Sequence, residues 1–128
     1  MLAFIRKAVL GVVAAACLSS VALAQQTTNT FDEIIKRGKI IVGISLSTPP
    51  YGMTDASMKP SGFDVAVANL IARDLGVTLE IVDQVSQARI PNLTTGKVDI
   101  VVSSLGITAE RAKTIMYTNA IYVDEQMV

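Results

Sequence analysis

The chain has 128 residues, 51% of them hydrophobic and 17% charged, with eleven basic and eleven acidic side chains and no histidine. That apolar content is enough for one compact domain and too high for a disordered tail. Dispersed, balanced charge excludes the basic footprint of a nucleic-acid binder, and the missing histidine removes the commonest general base and the commonest metal ligand.

Residues 1–24 read as a leader. Arg6 and Lys7 precede the apolar run AVLGVVAAACL, and Ala22-Leu23-Ala24 is a small-x-small pattern, as in a secretory signal peptide cleaved after Ala24. A membrane anchor competes with this reading, but Ser19 and Ser20 interrupt the apolar stretch and the polar QQTTNT follows it. The single cysteine, Cys17, lies inside the leader, and Ala14 stands where a lipoprotein would want leucine. A periplasmic protein without thiols is expected, held together by packing alone. Without Arg6 and Lys7 it carries nine basic against eleven acidic residues, a net charge of −2. Residues 25–30 are expected to form a flexible N-terminus, and residues 31–128 the folded domain.

Thr30 is expected to cap a short helix with Asp32 and Glu33 early, Lys36 and Arg37 late, and Gly38 as its stop. Lys39 to Ile44 reads as a strand, and the following SLSTPPYGMTD is rich in turn formers, with Pro49 and Pro50 excluding helix. In open α/β sheets ligands bind beyond the C-terminal ends of strands, so Ser45, Ser47, Thr48 and Tyr51 are candidate contacts. Asp64 is expected to cap the next helix, in which Val67, Leu70, Ile71 and Leu75 form one apolar stripe before Gly76.

Val77 to Val82 is the second strand, and this strand, helix, strand order implies a right-handed crossover with parallel pairing. After the loop DQVSQA, Arg89-Ile90-Pro91 starts a short helix that Gly96 closes. The third strand is Val98 to Val102, broken by Ser103, Ser104 and Gly106 before Thr108 caps a further helix. Arg111 then falls in that helix's first turn, where the dipole disfavours a cation by ~0.3–1 kcal/mol. Either a carboxylate sits between the guanidinium and the free N–H groups of the loop, or the arginine is solvated and paired with Glu110 or Asp99. Tyr117, Ile121, Tyr122 and Val123 suggest a last extended segment, and the strand-like sequence running to Val128 reads as that of a fragment.

Taken together, GKIIVGI, PPYG, SGFDVAVANLIARDLGV, RIPNLTTGKVDIVVSSLGITAERAK and MYTNAIYV resemble the extracytoplasmic solute-binding proteins of amino-acid ABC transporters, the polar amino-acid receptors. The resemblance covers essentially all of Phe31 to Val128. It implies an α/β fold, the type II periplasmic binding protein or Venus flytrap, of which this chain is the first lobe: a mainly parallel sheet flanked by helices, truncated before the second lobe. It also implies extracytoplasmic binding of an L-amino acid and its delivery to a membrane permease, by a monomer with no cofactor, metal or nucleic acid.

By the same resemblance Arg111 clasps the α-carboxylate, and backbone groups of Ser104 and Gly106 bind the α-carboxylate and α-ammonium. Gly106 stands where many relatives carry a serine or threonine, so one hydroxyl contact to the ammonium is lost. Receptors for cationic amino acids often carry aspartate where Ser45 lies and aromatic platforms where Thr48 and Ser86 lie; none is present, which disfavours a cationic ligand. Ser86-Gln87-Ala88-Arg89-Ile90-Pro91 is similar to the acidic receptors, in which an arginine 22 positions before the carboxylate arginine meets the ligand side chain. Those receptors have asparagine where Ala88 stands and a further arginine where Ser45 stands. A polar or acidic ligand is therefore favoured, and the alternative for Arg89 is a surface residue at a helix start. Two other functions share the fold: a secreted enzyme, a dehydratase or lyase, and the sensor lobe of a membrane receptor.

Overall fold

A computed structural model describes residues 29–123. The expected leader and cleavage site, residues 25–28 and the tail 124–128 lie outside the described residues.

The first helix, α1 (Thr30–Arg37), is capped by Asn29, not by Thr30: the Asn29 side chain accepts a hydrogen bond from the N–H of Phe31 at 3.1 Å. Asparagine is the stronger cap, and it stands one residue earlier. The acidic start, basic end and Gly38 stop are as the sequence implies. Beyond it, β1 (Lys39–Ile44) is the centre of a three-stranded sheet. It pairs in parallel with β4 (Thr78–Asp83), from Lys39 opposite Thr78 to Ile44 opposite Asp83, and with β5 (Ile100–Val101) on its other side. β5 is shorter than the expected Val98 to Val102, although the N–H groups of Asp99 and Val102 still donate to the carbonyls of Ile41 and Gly43, at 2.8 and 3.1 Å. The whole stretch therefore lies along β1 while only its middle forms a ladder.

Between β1 and the long helix the chain forms an antiparallel hairpin of β2 (Met53–Thr54) and β3 (Pro60–Ser61), which the sequence does not announce. Two-residue strands are too short for any alternation to register.

Helix α2 (Phe63–Leu75) corrects two expectations. Its cap is Gly62, not Asp64, because backbone carbonyls satisfy its first donors: the N–H of Phe63 reaches the carbonyl of Pro50 at 3.2 Å and that of Asp64 reaches Tyr51 at 2.8 Å. Gly62 permits this approach. Its φ is +113°, and a Cβ there would run into the carbonyl oxygens of Tyr51 and Pro50. Released from capping, Asp64 is buried. The buried face of α2 is Val65, Ala68 and Ala72, with Val67, Ile71 and Leu75 partly buried and Leu70 48% exposed. The largest apolar side chains mark the flanks, and two alanines let the helix lie close to the sheet.

The core forms where Ile40, Val42 and Ile44, alternating along β1, meet Val65, Ala68 and Ala72 of α2 and Ile34 of α1. Register places Leu79 beside Ile40 and Ile81 beside Val42, extending the apolar face into β4. The opposite face is closed at Gly43, where any Cβ would collide with the Gln84 side chain. Gln84 in turn accepts a hydrogen bond from Asn92 at 2.9 Å, so α3 (Arg89–Thr94) covers this second face. A 3-10 turn, Ser86–Ala88, leads into α3. Beyond β5, Arg111–Lys113 forms one 3-10 turn and not a continued helix, and residues 117–123 form no strand. Among the described residues no helix is long and apolar enough to cross a membrane.

Candidate functional site

Because β1, β4 and β5 run parallel, the chain leaves all three at the same edge of the sheet, and side chains from three loops bind one another there. The buried Ser45, one residue past β1, donates its N–H to the Ser103 hydroxyl at 3.3 Å. Its own hydroxyl shares hydrogen bonds with Thr48 at 3.2 Å and Ser47 at 3.4 Å. The N–H of Leu46 donates to the Asp83 carboxylate at 3.0 Å, and that of Gln84 to the Ile44 carbonyl at 3.0 Å, locking the β1 and β4 exits together.

Arg89 is only 6% exposed, which overturns its alternative reading as a surface residue. Its Nη1 donates to the carbonyl of Ser104 at 3.1 Å, while its Nε has no partner among the described residues. Asp64 is 1% exposed, and its Oδ1 likewise finds no partner there. Burial pushes the Asp64 carboxyl above its ordinary value, opposed by the positive charge of Arg89. Burial lowers the Arg89 pKa; the Asp64 charge opposes that shift, and the neighbouring Arg111 charge adds to it. Two guanidinium groups and one carboxylate thus share one electrostatic neighbourhood.

Arg111 is half-buried, and its Nη1 donates to the carbonyl of Gly106 at 3.0 Å. The Tyr117 hydroxyl donates to the same oxygen at 3.3 Å. The Thr108 hydroxyl accepts the N–H of Arg111 at 3.2 Å, as a cap would. Yet a three-residue turn carries little dipole, so the dipole argument for a misplaced charge loses its basis; Gly106 is what holds this side chain. Among the described residues Arg111 pairs with neither Glu110 nor Asp99. Asp99 sits at the opposite end of the sheet, taken by Arg37 and by the N–H of Ile41 at 2.7 Å. The N–H groups of Ser104 and Gly106 have no acceptor among the described residues.

An aromatic group borders this rim. The Tyr122 hydroxyl donates to the Ser104 hydroxyl at 2.8 Å, its ring stacks on Tyr51 with centroids 5.1 Å apart, and Phe63 meets it edge-on at 5.6 Å. Sequence reasoning singled out Tyr51 but not Asp64, Phe63 or Tyr122. Phe63 and Asp64 lie within the SGFD of the family resemblance, yet a capping aspartate and a buried one read alike in sequence. Of the expected site residues, the structure joins Ser45 to Thr48, Arg89 to Ser104 and Arg111 to Gly106, all at one end of the sheet. Ser86 is exposed in the loop beyond β4, at that same end but bonded to none of them among the described residues. Guanidinium donors and backbone N–H groups at one rim have the chemistry to accept an anion, a carboxylate above all. No group of three or more histidine, cysteine, aspartate or glutamate side chains that could hold a metal occurs among the described residues.

The profile of the bacterial extracellular solute-binding proteins, family 3, matches residues 40–128. A glutamine-binding protein of Geobacillus stearothermophilus is 31% identical over 103 residues, which are 77% of this chain and 39% of that protein. An L-arginine-binding protein of Pseudomonas aeruginosa is 32% identical over 81 residues, 63% of this chain and 31% of its own length. The chain thus spans less than half the length of these relatives. Among solved structures, the arginine-bound form of domain 1 of the T. maritima arginine-binding protein superimposes with a TM-score of 0.62 at 46% identity, covering 64% of this chain and 65% of that one. With well over half of its residues inside the family profile and a type II parallel sheet to match, the chain belongs to the bacterial extracellular solute-binding proteins, family 3.

Proposed function

We propose that this lobe receives the α-carboxylate of an L-amino acid on Arg111 and on the N–H groups of Ser104 and Gly106, for delivery to an ABC permease outside the cytoplasm. The observation that carries this reading is the placement of the Arg111 guanidinium. It is anchored through one nitrogen on Gly106, with its other donors left for a ligand, at the edge where all three parallel strands end. Residues 1–24 act as the export leader, and the receptor works as a monomer that carries its ligand without altering it.

For the ligand side chain we favour a polar, uncharged group. Ser45, Ser47 and Thr48 offer hydroxyls, and Asp64, the one buried carboxylate among the described residues, feels the positive charge of Arg89. An arginine-binding protein stands among the relatives beside a glutamine-binding one, so relationship alone does not choose between them. Heteronuclear NMR titration of the chain with glutamine, glutamate, alanine and arginine tests this. Glutamine is expected to bind most tightly, with shifts centred on Ser104, Gly106 and Arg111. Tighter binding of arginine would reverse the side-chain preference, and shifts elsewhere would displace the site.

A further inference from the structure

Asp64 and Arg89 come from the starts of two helices on opposite faces of the sheet, yet both are buried and each keeps a polar atom without a partner among the described residues. They do not close to a direct ion pair. Contacts nonetheless run between them through the site: Phe63, next to Asp64, touches Tyr122, Tyr122 bonds Ser104, and Ser104 receives Arg89. Arg111 is bonded to Gly106, two residues past Ser104, so both guanidinium groups are tied to one short loop. Left alone, two guanidinium groups at one rim would present two positive charges and suit a ligand with two carboxylates. A buried carboxylate beside them reduces this to one net positive charge, the complement of a single α-carboxylate.

We propose that Asp64 is a specificity-determining residue: as the resident counter-ion of Arg89, it occupies the charge that would otherwise attract an acidic ligand side chain. Arg89, held by Asp64's charge and bonded to Ser104, then positions the Ser104 loop without touching the ligand. This rests on the α-carboxylate reading of Arg111 and adds a cause for the choice between a neutral and an acidic amino acid.

The experiment is a set of NMR titrations of the full chain with glutamine and with glutamate, comparing wild type, Asp64→Asn, Arg89→Gln and the double variant. In wild type glutamine binds more tightly. Asp64→Asn is expected to shift the ratio of the two dissociation constants toward glutamate by about tenfold or more, as one added charge at low local polarity should. Arg89→Gln, which leaves Asp64 negative and unopposed, shifts the ratio the other way, and the double variant returns it near wild type. A merely structural role weakens both ligands by one factor in every variant and overturns the inference. If Asp64→Asn does not fold, Arg89→Gln decides it, since an unmoved ratio in that variant contradicts the proposal. If wild type binds neither amino acid, the α-carboxylate reading falls and takes the inference with it; if it binds both with ratios that never change, only the inference falls.

Discussion

The charged residues of this lobe sit in surroundings that differ sharply. Arg37 and Lys39 pair at the far end of the sheet with Asp99 and Glu80, where partly exposed ion pairs contribute little, of the order of 0–1 kcal/mol. Asp64 and Arg89 are buried and incompletely bonded among the described residues, where charge is expensive. Asp64 also gives stability a pH signature. Burial raises its carboxyl above the ordinary 3.8, so the folded state binds that proton more tightly than the unfolded state. Its contribution is fully present below the ordinary value and is lost as the pH rises through the raised one. Urea unfolding from acid pH to neutrality should show wild type losing stability relative to Asp64→Asn as the pH rises. A difference between the two that stays constant across this range contradicts the assignment.

At the scale of elements, the hinge of the arrangement is the turn into α2. Gly62→Ala forces a side chain into a left-handed backbone that also abuts the carbonyls of Pro50 and Tyr51, and it should cost about 1–3 kcal/mol. Chemical denaturation measures this, and a loss below a few tenths would show that the loop yields freely. Ile40→Ala, in the centre of the core, should cost about 2–5 kcal/mol by the same measurement. These elements differ in how plainly the sequence shows them. The strands expected at 39–44, 77–82 and 98–102 announce themselves as β-branched runs, and they form at Lys39–Ile44, Thr78–Asp83 and Ile100–Val101. The parallel order follows from the helices between them. The cap of α2 was hidden, because its donors are met by backbone carbonyls from a loop that no local rule connects to it. The apolar stripe of α2 shows in part: Val67, Ile71 and Leu75 pack against the core as expected, while Leu70 is exposed and the closest approach belongs to Val65, Ala68 and Ala72. A motif of fixed spacing singles out Arg111 and Ser104, and the structure places both beyond the end of the third strand. The burial of Arg89 was not legible in the sequence, since the bond that holds its guanidinium runs to the carbonyl of Ser104, 15 residues later in the chain.

For the whole molecule, topology does what no single segment can. Residues 45–48, 89 and 104–111 are scattered along the chain, and three parallel strands bring them to one edge. One lobe covers one face of a ligand, whereas small-molecule sites commonly enclose roughly 70–90% of its surface. The chain alone should therefore bind its amino acid more weakly than micromolar, and calorimetry giving a tighter constant contradicts this. The central claim is that Arg111 clasps the α-carboxylate, and the most direct measurement is the dissociation constant of glutamine for wild type and Arg111→Lys by NMR titration. A guanidinium offers two parallel donors and an ammonium a point charge, so a carboxylate left half-satisfied costs ~1–3 kcal/mol. The account predicts binding weakened by roughly five- to hundredfold, alike for glutamine and alanine because both share the α-carboxylate. An unchanged constant in a folded Arg111→Lys variant would contradict it.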